Sequence, residues 1–338
     1  MKCLKIAAML TIAAVILAAS PVKADILAMM NYESKPKKNQ KRREGIMVVD
    51  VDPRSKTFGN ILMDIPLPPD LLAHHIFYNK DMTKAYLTAL GKPLLHVIDM
   101  KRFPYRLKQI AVPTCKIGED LVFSDDNKTW RLTCMGSQNV IVGDAAADKV
   151  TGEIKLPKPY PHGIAVHNGI DRALVTSTVR DSDLGDAGET ITVIQASTNR
   201  VLSLHKVSNK PSPSREAPVE ILFVPGANPP IAYVTNMFGG SIWASVWDPA
   251  KKDFKVQEAF NLGEIKAGVP LEMYFNKRAD RFYLTTAKPG GVHIFDISNP
   301  TRPKLLKTLL AAEGAHHVAF TKNEPTPSCR ISSSICRG

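Results

Sequence analysis

Five of the nine histidines in this 338-residue chain stand at corresponding places. They are the pair His74-His75, the single His162 between Pro161 and Gly163, and the pair His316-His317. Each precedes a short apolar run: Ile76-Phe77, Ile164-Ala165 and Val318-Ala319. Carboxylates hold the matching place elsewhere, as Glu119-Asp120 before Leu121, Glu220 before Ile221 and Glu272 before Met273. Alignment on the apolar residue gives one level of His75, Asp120, Gly163, Glu220, Glu272 and His317. The adjacent level is His74, Glu119, His162, Val219, Leu271 and His316. Imidazoles and carboxylates converging on one axis suit a transition metal, and copper, zinc and iron all accept imidazole nitrogen. The plainer alternative is a polar ring that hydrates a water-filled channel. Neighbours in a strand point to opposite faces, so one histidine of each pair is expected to face the channel while the other packs.

The elements that would position these residues repeat along the chain. Each unit has a polar pair and apolar run, a second strand with Thr near its middle, and a third strand that often closes on Asp. The Thr recurs at 88, 133, 176, 235 and 285, and the closing Asp at 50, 99, 144, 248 and 296. Short β-branched and aromatic runs at this spacing, set between Gly, Pro and Asn turns, are those of β-propeller blades. The expected fold is an all-β propeller of four-stranded blades spanning 46–323. It is of the seven-bladed type with an incomplete last blade, or alternatively six-bladed. Ile46–Asp50 copies a third strand and Ile61–Ile65 a fourth, so the ring is expected to begin halfway through a blade. Residues 324–338 hold two prolines, four serines and two cysteines; they read as a frameshift or truncation scar, or as a flexible tail.

Charge and cysteines bear on compartment and partners. Lys2 and Lys5, the apolar stretch Ile6 to Ala19 and the Val22-Lys23-Ala24 end form a signal peptide cut after residue 24. That implies a periplasmic or secreted protein with no membrane span after cleavage. Removing Lys2, Lys5 and Lys23 takes the net charge from +12 to +9, and six more cations crowd Lys35 to Arg43. Residues 25–45 therefore read as a basic flexible arm. The aromatics are few and not interleaved with the basic residues, which excludes nucleic-acid reading. An exported chain permits disulfides, so Cys115 and Cys134 either pair or remain two buried thiols. His96, His167, His205 and His293 read as structural residues, the Asp residues as turn caps, and the acidic stretch Val179 to Thr190 as a solvated loop. No nucleophile elbow or phosphate loop is present.

Tyr233-Val234-Thr235-Asn236 spells the tetrapeptide of the YVTN-type propeller repeats, and the mature chain resembles that class to about Asn323. A narrower likeness is to the selenium-binding protein / methanethiol oxidase family. Val49-Asp50-Val51-Asp52-Pro53-Arg54-Ser55, Ile65-Pro66-Leu67-Pro68 and His74-His75 resemble that family's opening blade. Leu271-Glu272-Met273 and the run from Phe295 to Leu305 are similar to its later ones. The resemblance implies a copper-dependent oxidase of small thiols, with His74, His75, His162 and His316 or His317 as ligands. Two other functions fit a propeller: a non-enzymatic scaffold for a protein or small ligand, and a lactonase-like hydrolase.

Overall fold

The computed structural model describes residues 26–34 and 42–320, and the backbone of a further strand, Arg330–Ser332. The expected signal peptide, most of the basic run at 35–41 and most of the tail lie outside the described residues. Among the described residues every regular element longer than four residues is a strand. No helix among the described residues is long and apolar enough to cross a membrane.

Six antiparallel sheets form the blades, one of three strands and five of four. The first joins Leu27–Glu33, Glu44–Asp50 and Ile61–Leu67. The others follow in chain order, with innermost strands Ala73–Tyr78, Gly118–Phe123, Pro161–His167, Pro218–Phe223 and Pro270–Phe275. The core lies between neighbouring blades. Tyr86, Phe123 and Trp130 pack between the second and third, and Tyr233, Phe282 and Phe295 between the fifth and sixth.

Among the described residues the blades number six, the stated alternative, rather than seven. His317–Ala319 begins what would be a further blade, but it pairs only with Arg330–Ser332 in a two-stranded ladder. Val318 and Phe320 spend their apolar surface on Tyr283 and Val292 of the sixth blade. The N-terminal boundary also differs. Leu27–Glu33, assigned to the flexible arm, is a strand along the whole length of Glu44–Asp50. Its alternating apolar residues were masked by the cations that follow.

One backbone device recurs where each innermost strand begins. The residue before the strand is left-handed, at Leu72, Ile117, Tyr160, Ala217 and Val269, with φ between 52° and 59°. Its carbonyl accepts from the N–H two residues after the repeated Thr, for example Met135 to Ile117 and Ala287 to Val269, each near 2.9–3.0 Å. Pairing with the second strand then skips: Ala73 opposes Ala89, and Ile76 opposes Leu87. Three steps on one strand against two on the other make a β-bulge. The same shift occurs at Gly118/Leu121, Pro161/Ile164, Pro218/Ile221 and Pro270/Met273.

The Thr hydroxyl closes each bulge, and at Thr133, Thr176, Thr235 and Thr285 it also ties the bulge to the next blade. Thr133 accepts from Asp120 N–H at 3.0 Å and donates to the His162 carbonyl at 2.6 Å. Thr176 joins Gly163 N–H to the Val219 carbonyl, Thr235 joins Glu220 to Leu271, and Thr285 joins Glu272 to His316. Thr88 accepts from His75 N–H at 3.1 Å. In the first blade Asn31 takes the outward role, its amide donating to the carbonyls of Ala73 and His74 at 2.9 Å. The closing Asp residues cap their turns: Asp50, Asp99, Asp144, Asp248 and Asp296 each accept from the N–H two residues on.

Cys115 and Cys134 are bonded, closing a 19-residue separation at the mouth of the third blade. Breaking a loop of this size costs about 3 kcal/mol. The double variant Cys115→Ser/Cys134→Ser should lose about that much in urea unfolding, and the parent under reductant should match it. Thr285→Val leaves one buried N–H and one carbonyl unpaired, a loss of roughly 2–4 kcal/mol. Thr285→Ser should retain most of the stability in the same measurement.

Candidate metal centre at the propeller axis

The bulge decides where the ring residues point. Alternation holds only while pairing is regular, and an extra residue in one strand breaks it. Both members of His74-His75 and of Glu119-Asp120 therefore reach the axis, and His316 and His317, just before and at the start of a regularly paired strand, reach it as well. His74 and His75 stack with ring centroids 3.8 Å apart, and His316 and His317 stack at 4.5 Å with planes 3° apart. The expected division into one channel-facing and one packed histidine does not hold: His74 joins Glu119 and His162, while His75 joins Glu272, His316 and His317.

All nine residues predicted for the site lie at this centre. In the group His75, Glu272, His316 and His317, one ligand atom from each residue falls within 4.8 Å of every other. Glu272 Oε1 lies 3.2 Å from His316 Nε2 and 3.9 Å from His75 Nε2. In the second group Glu119 Oε2 lies 2.9 Å from His74 Nε2 and 3.6 Å from His162 Nε2. Asp120, His162 and Glu220 make a third, with His162 Nδ1 3.4 Å from Glu220 Oε1. Asp120 Oδ1 also lies 3.2 Å from His75 Nδ1. The level containing Gly163 needs a glycine, since a Cβ there would sit 2.4 Å from the Val219 carbonyl of the next blade.

Burial makes this cluster costly unless something binds it. His75, Glu119, Asp120 and Glu220 are almost wholly enclosed, whereas His74 and His316 keep about a quarter to a third of their side-chain surface. Access from solvent is therefore on the His74/His316 side. His75 Nε2, His162 Nδ1, Glu119 Oε2, Glu220 Oε1 and Glu272 Oε1 are buried without a well-formed hydrogen bond. Buried polar atoms of native proteins are nearly always partnered. The five, two imidazole nitrogens and three carboxylate oxygens, converge on one region and make a donor set of the kind that transition metals accept.

The titration behaviour follows from the crowding. Burial, then the fields of His74, His317, His316 and His162, hold the His75 imidazole well below its usual range, so it is neutral with a free lone pair. Burial and then Glu272 push Asp120 well above the usual carboxylate range, and burial, Asp120 and Glu272 do the same to Glu220. Burial raises Glu119, but His162 and His74 outweigh it and keep the group ionised. Glu272 is held down likewise by His316 and His317 against its burial.

Tyr274 was not anticipated. Its hydroxyl lies 3.1 Å from His317 Nδ1, fixing the ring's orientation and leaving Nε2 as the nitrogen able to meet a cation. Such outer partners commonly orient ligating histidines. Its place two residues after Glu272, on the same strand, was the available signal. The four other histidines are structural: His293 bonds Thr286 and Thr308, His205 bonds Asp253, His96 meets Gln109 and His167 packs on Phe223. The Val179 to Thr190 loop satisfies its own acids, Asp183 on Arg180, Asp186 on Tyr160 and Glu189 on Ser214.

No protein-family model matches the sequence, and no curated protein does. Solved structures do match. A hypothetical selenium-binding protein from Sulfolobus tokodaii is similar with a TM-score of 0.68 at 14% identity, over 81% of this chain and 72% of that one. Hydrazine synthase of Kuenenia stuttgartiensis gives 0.63 at 13% identity, over 82% and 85%. A functionally unknown protein from Desulfotomaculum acetoxidans gives 0.62 at 15%, over 79% and 77%. At these identities the likeness is one of propeller fold.

The raised carboxyls yield a signed prediction. Asp120 and Glu220 have folded-state values above their unfolded ones, so the stability they contribute is complete below about pH 4 and is lost as pH rises through the folded values. In metal-free protein the contribution of these two groups should therefore fall from acid towards neutral pH, against the opposite trend of the lowered His75, Glu119 and Glu272. Glu220→Gln should flatten that slope and raise the melting temperature at pH 8 by roughly 2–4 °C, the equivalent of about 1 kcal/mol.

Proposed function

We propose that this is an exported, metal-dependent oxidoreductase acting on small thiols, with copper as its metal, similar in kind to the selenium-binding / methanethiol oxidase proteins. The observation that carries the reading is the convergence of His75, Glu272, His316 and His317 with unpartnered buried donor atoms among them. Three imidazoles and one carboxylate fit copper, which heads the affinity order for nitrogen donors among divalent ions. The bound ion would supply one-electron redox chemistry and a Lewis-acidic position for a thiolate sulfur.

The chain's own residues do the rest. Neutral His75 offers its lone pair without first losing a proton, and Glu272 supplies the negative charge that balances a cation in a dry site. Tyr274 holds the His317 ring. His74 and His316, on the solvent side, form the entrance past which a small substrate would reach the centre. Asp120, pushed up from the usual carboxylate range by burial and Glu272, and Glu220, pushed up by burial and Asp120, lie beside the ligands, where they can yield or accept a proton. The Cys115–Cys134 disulfide supports an oxidising compartment.

The test is metal content and turnover of purified full-length protein. Stoichiometric copper by plasma mass spectrometry, with thiol-dependent oxygen uptake, is the expected result. His75→Ala/His317→Ala should lower both at least tenfold. Protein that stays metal-free after copper loading and desalting would overturn the reading and favour a binding scaffold. Lactone hydrolysis without thiol oxidation would favour the hydrolase.

A further inference from the structure

We infer that the axis holds two cations rather than one. The first is bound by His75, Glu272, His316 and His317, and a second, separate ion by His74, Glu119 and His162. The inference rests on the metal-binding reading above and goes beyond it in number, ligands and charge.

Geometry separates the two ligand sets. The bulge at His74-His75 sends adjacent residues into different groups, and the two groups share no residue. Glu119 Oε2 sits between His74 Nε2 and His162 Nε2 at 2.9 and 3.6 Å, is buried, and lacks a well-formed hydrogen bond. One ion in the first group would leave Glu119 Oε2 unresolved, since Glu119 does not belong to its ligand set.

Charge gives an independent argument. Glu119, Asp120, Glu220 and Glu272 are all buried, and among the described residues no Lys or Arg pairs with any of them. Each ligand set holds one buried carboxylate, Glu272 in the first and Glu119 in the second, and with no Lys or Arg beside it each is left to be balanced by an ion of its own. Asp120 touches His75 of the first group, and Glu220 touches His162 of the second. The remaining two carboxylates are thus shared between the sets, one beside each.

Anaerobic titration of metal-free, full-length protein with Co(II) tests this, read by visible absorption and by metal content after desalting. Two equivalents per chain are expected. Glu119→Gln/His74→Asn should retain one equivalent, as should Glu272→Gln/His317→Asn, each with a different residual spectrum. Should a variant fail to fold, Cu(II) paramagnetic resonance on the parent decides instead. Two equivalents should give a dipolar-broadened signal, which one equivalent should not. A parent that saturates at one equivalent overturns the two-ion inference while leaving the metal-centre reading intact. A parent that binds none overturns both.

Discussion

In four blades a single hydroxyl of the second strand, that of Thr133, Thr176, Thr235 or Thr285, sets the architecture of the axis. Placed opposite the bulge, it satisfies the N–H of one ring residue in its own blade and the carbonyl of a ring residue in the next. The bulged backbone would otherwise bury unpaired groups. Because the contact spans two blades, it also fixes their spacing, and with it the distance between ligands that come from different sheets. Glu119 meets His162, and Glu272 meets His316, only because Thr133 and Thr285 hold the intervening backbone at hydrogen-bond length.

The left-handed residue ahead of each innermost strand belongs to the same device. A β-branched residue at positive φ is unfavourable by one or a few kcal/mol, yet Ile117 and Val269 adopt it. Their carbonyls are held by the second strand, and the chain must turn sharply before entering the bulge. Local strain is offset by the apolar seams between blades, where Trp130, Tyr233 and Phe282 are fully enclosed. The outcome is a rigid frame around a crowded, electrostatically unfavourable centre, the combination typical of a site built for a ligand.

Much of this was legible in the sequence, and the parts that were not have physical reasons. The Thr repeat and the closing Asp announced the blades because each performs the same local bond every time. The polar pairs announced the axis because ring positions recur with them. Orientation within His74-His75 was not readable, since alternation is the default and a bulge leaves no mark in residue type. The strand Leu27–Glu33 was hidden by its cationic neighbours, and by Asn31 standing where later blades carry Thr. Blade number depended on how far pairing continues after Val318, which local composition does not determine.

The central claim is that both members of each histidine pair are aimed at one cation-binding axis. It is tested most directly by a crystal structure of copper-loaded protein with an anomalous difference map collected at the copper edge. The account predicts density bounded by His75, Glu272, His316 and His317, with Thr285 bridging Glu272 and His316 behind it. Imidazoles of His75 and His317 turned away from each other, with no anomalous density between the blades, would contradict it.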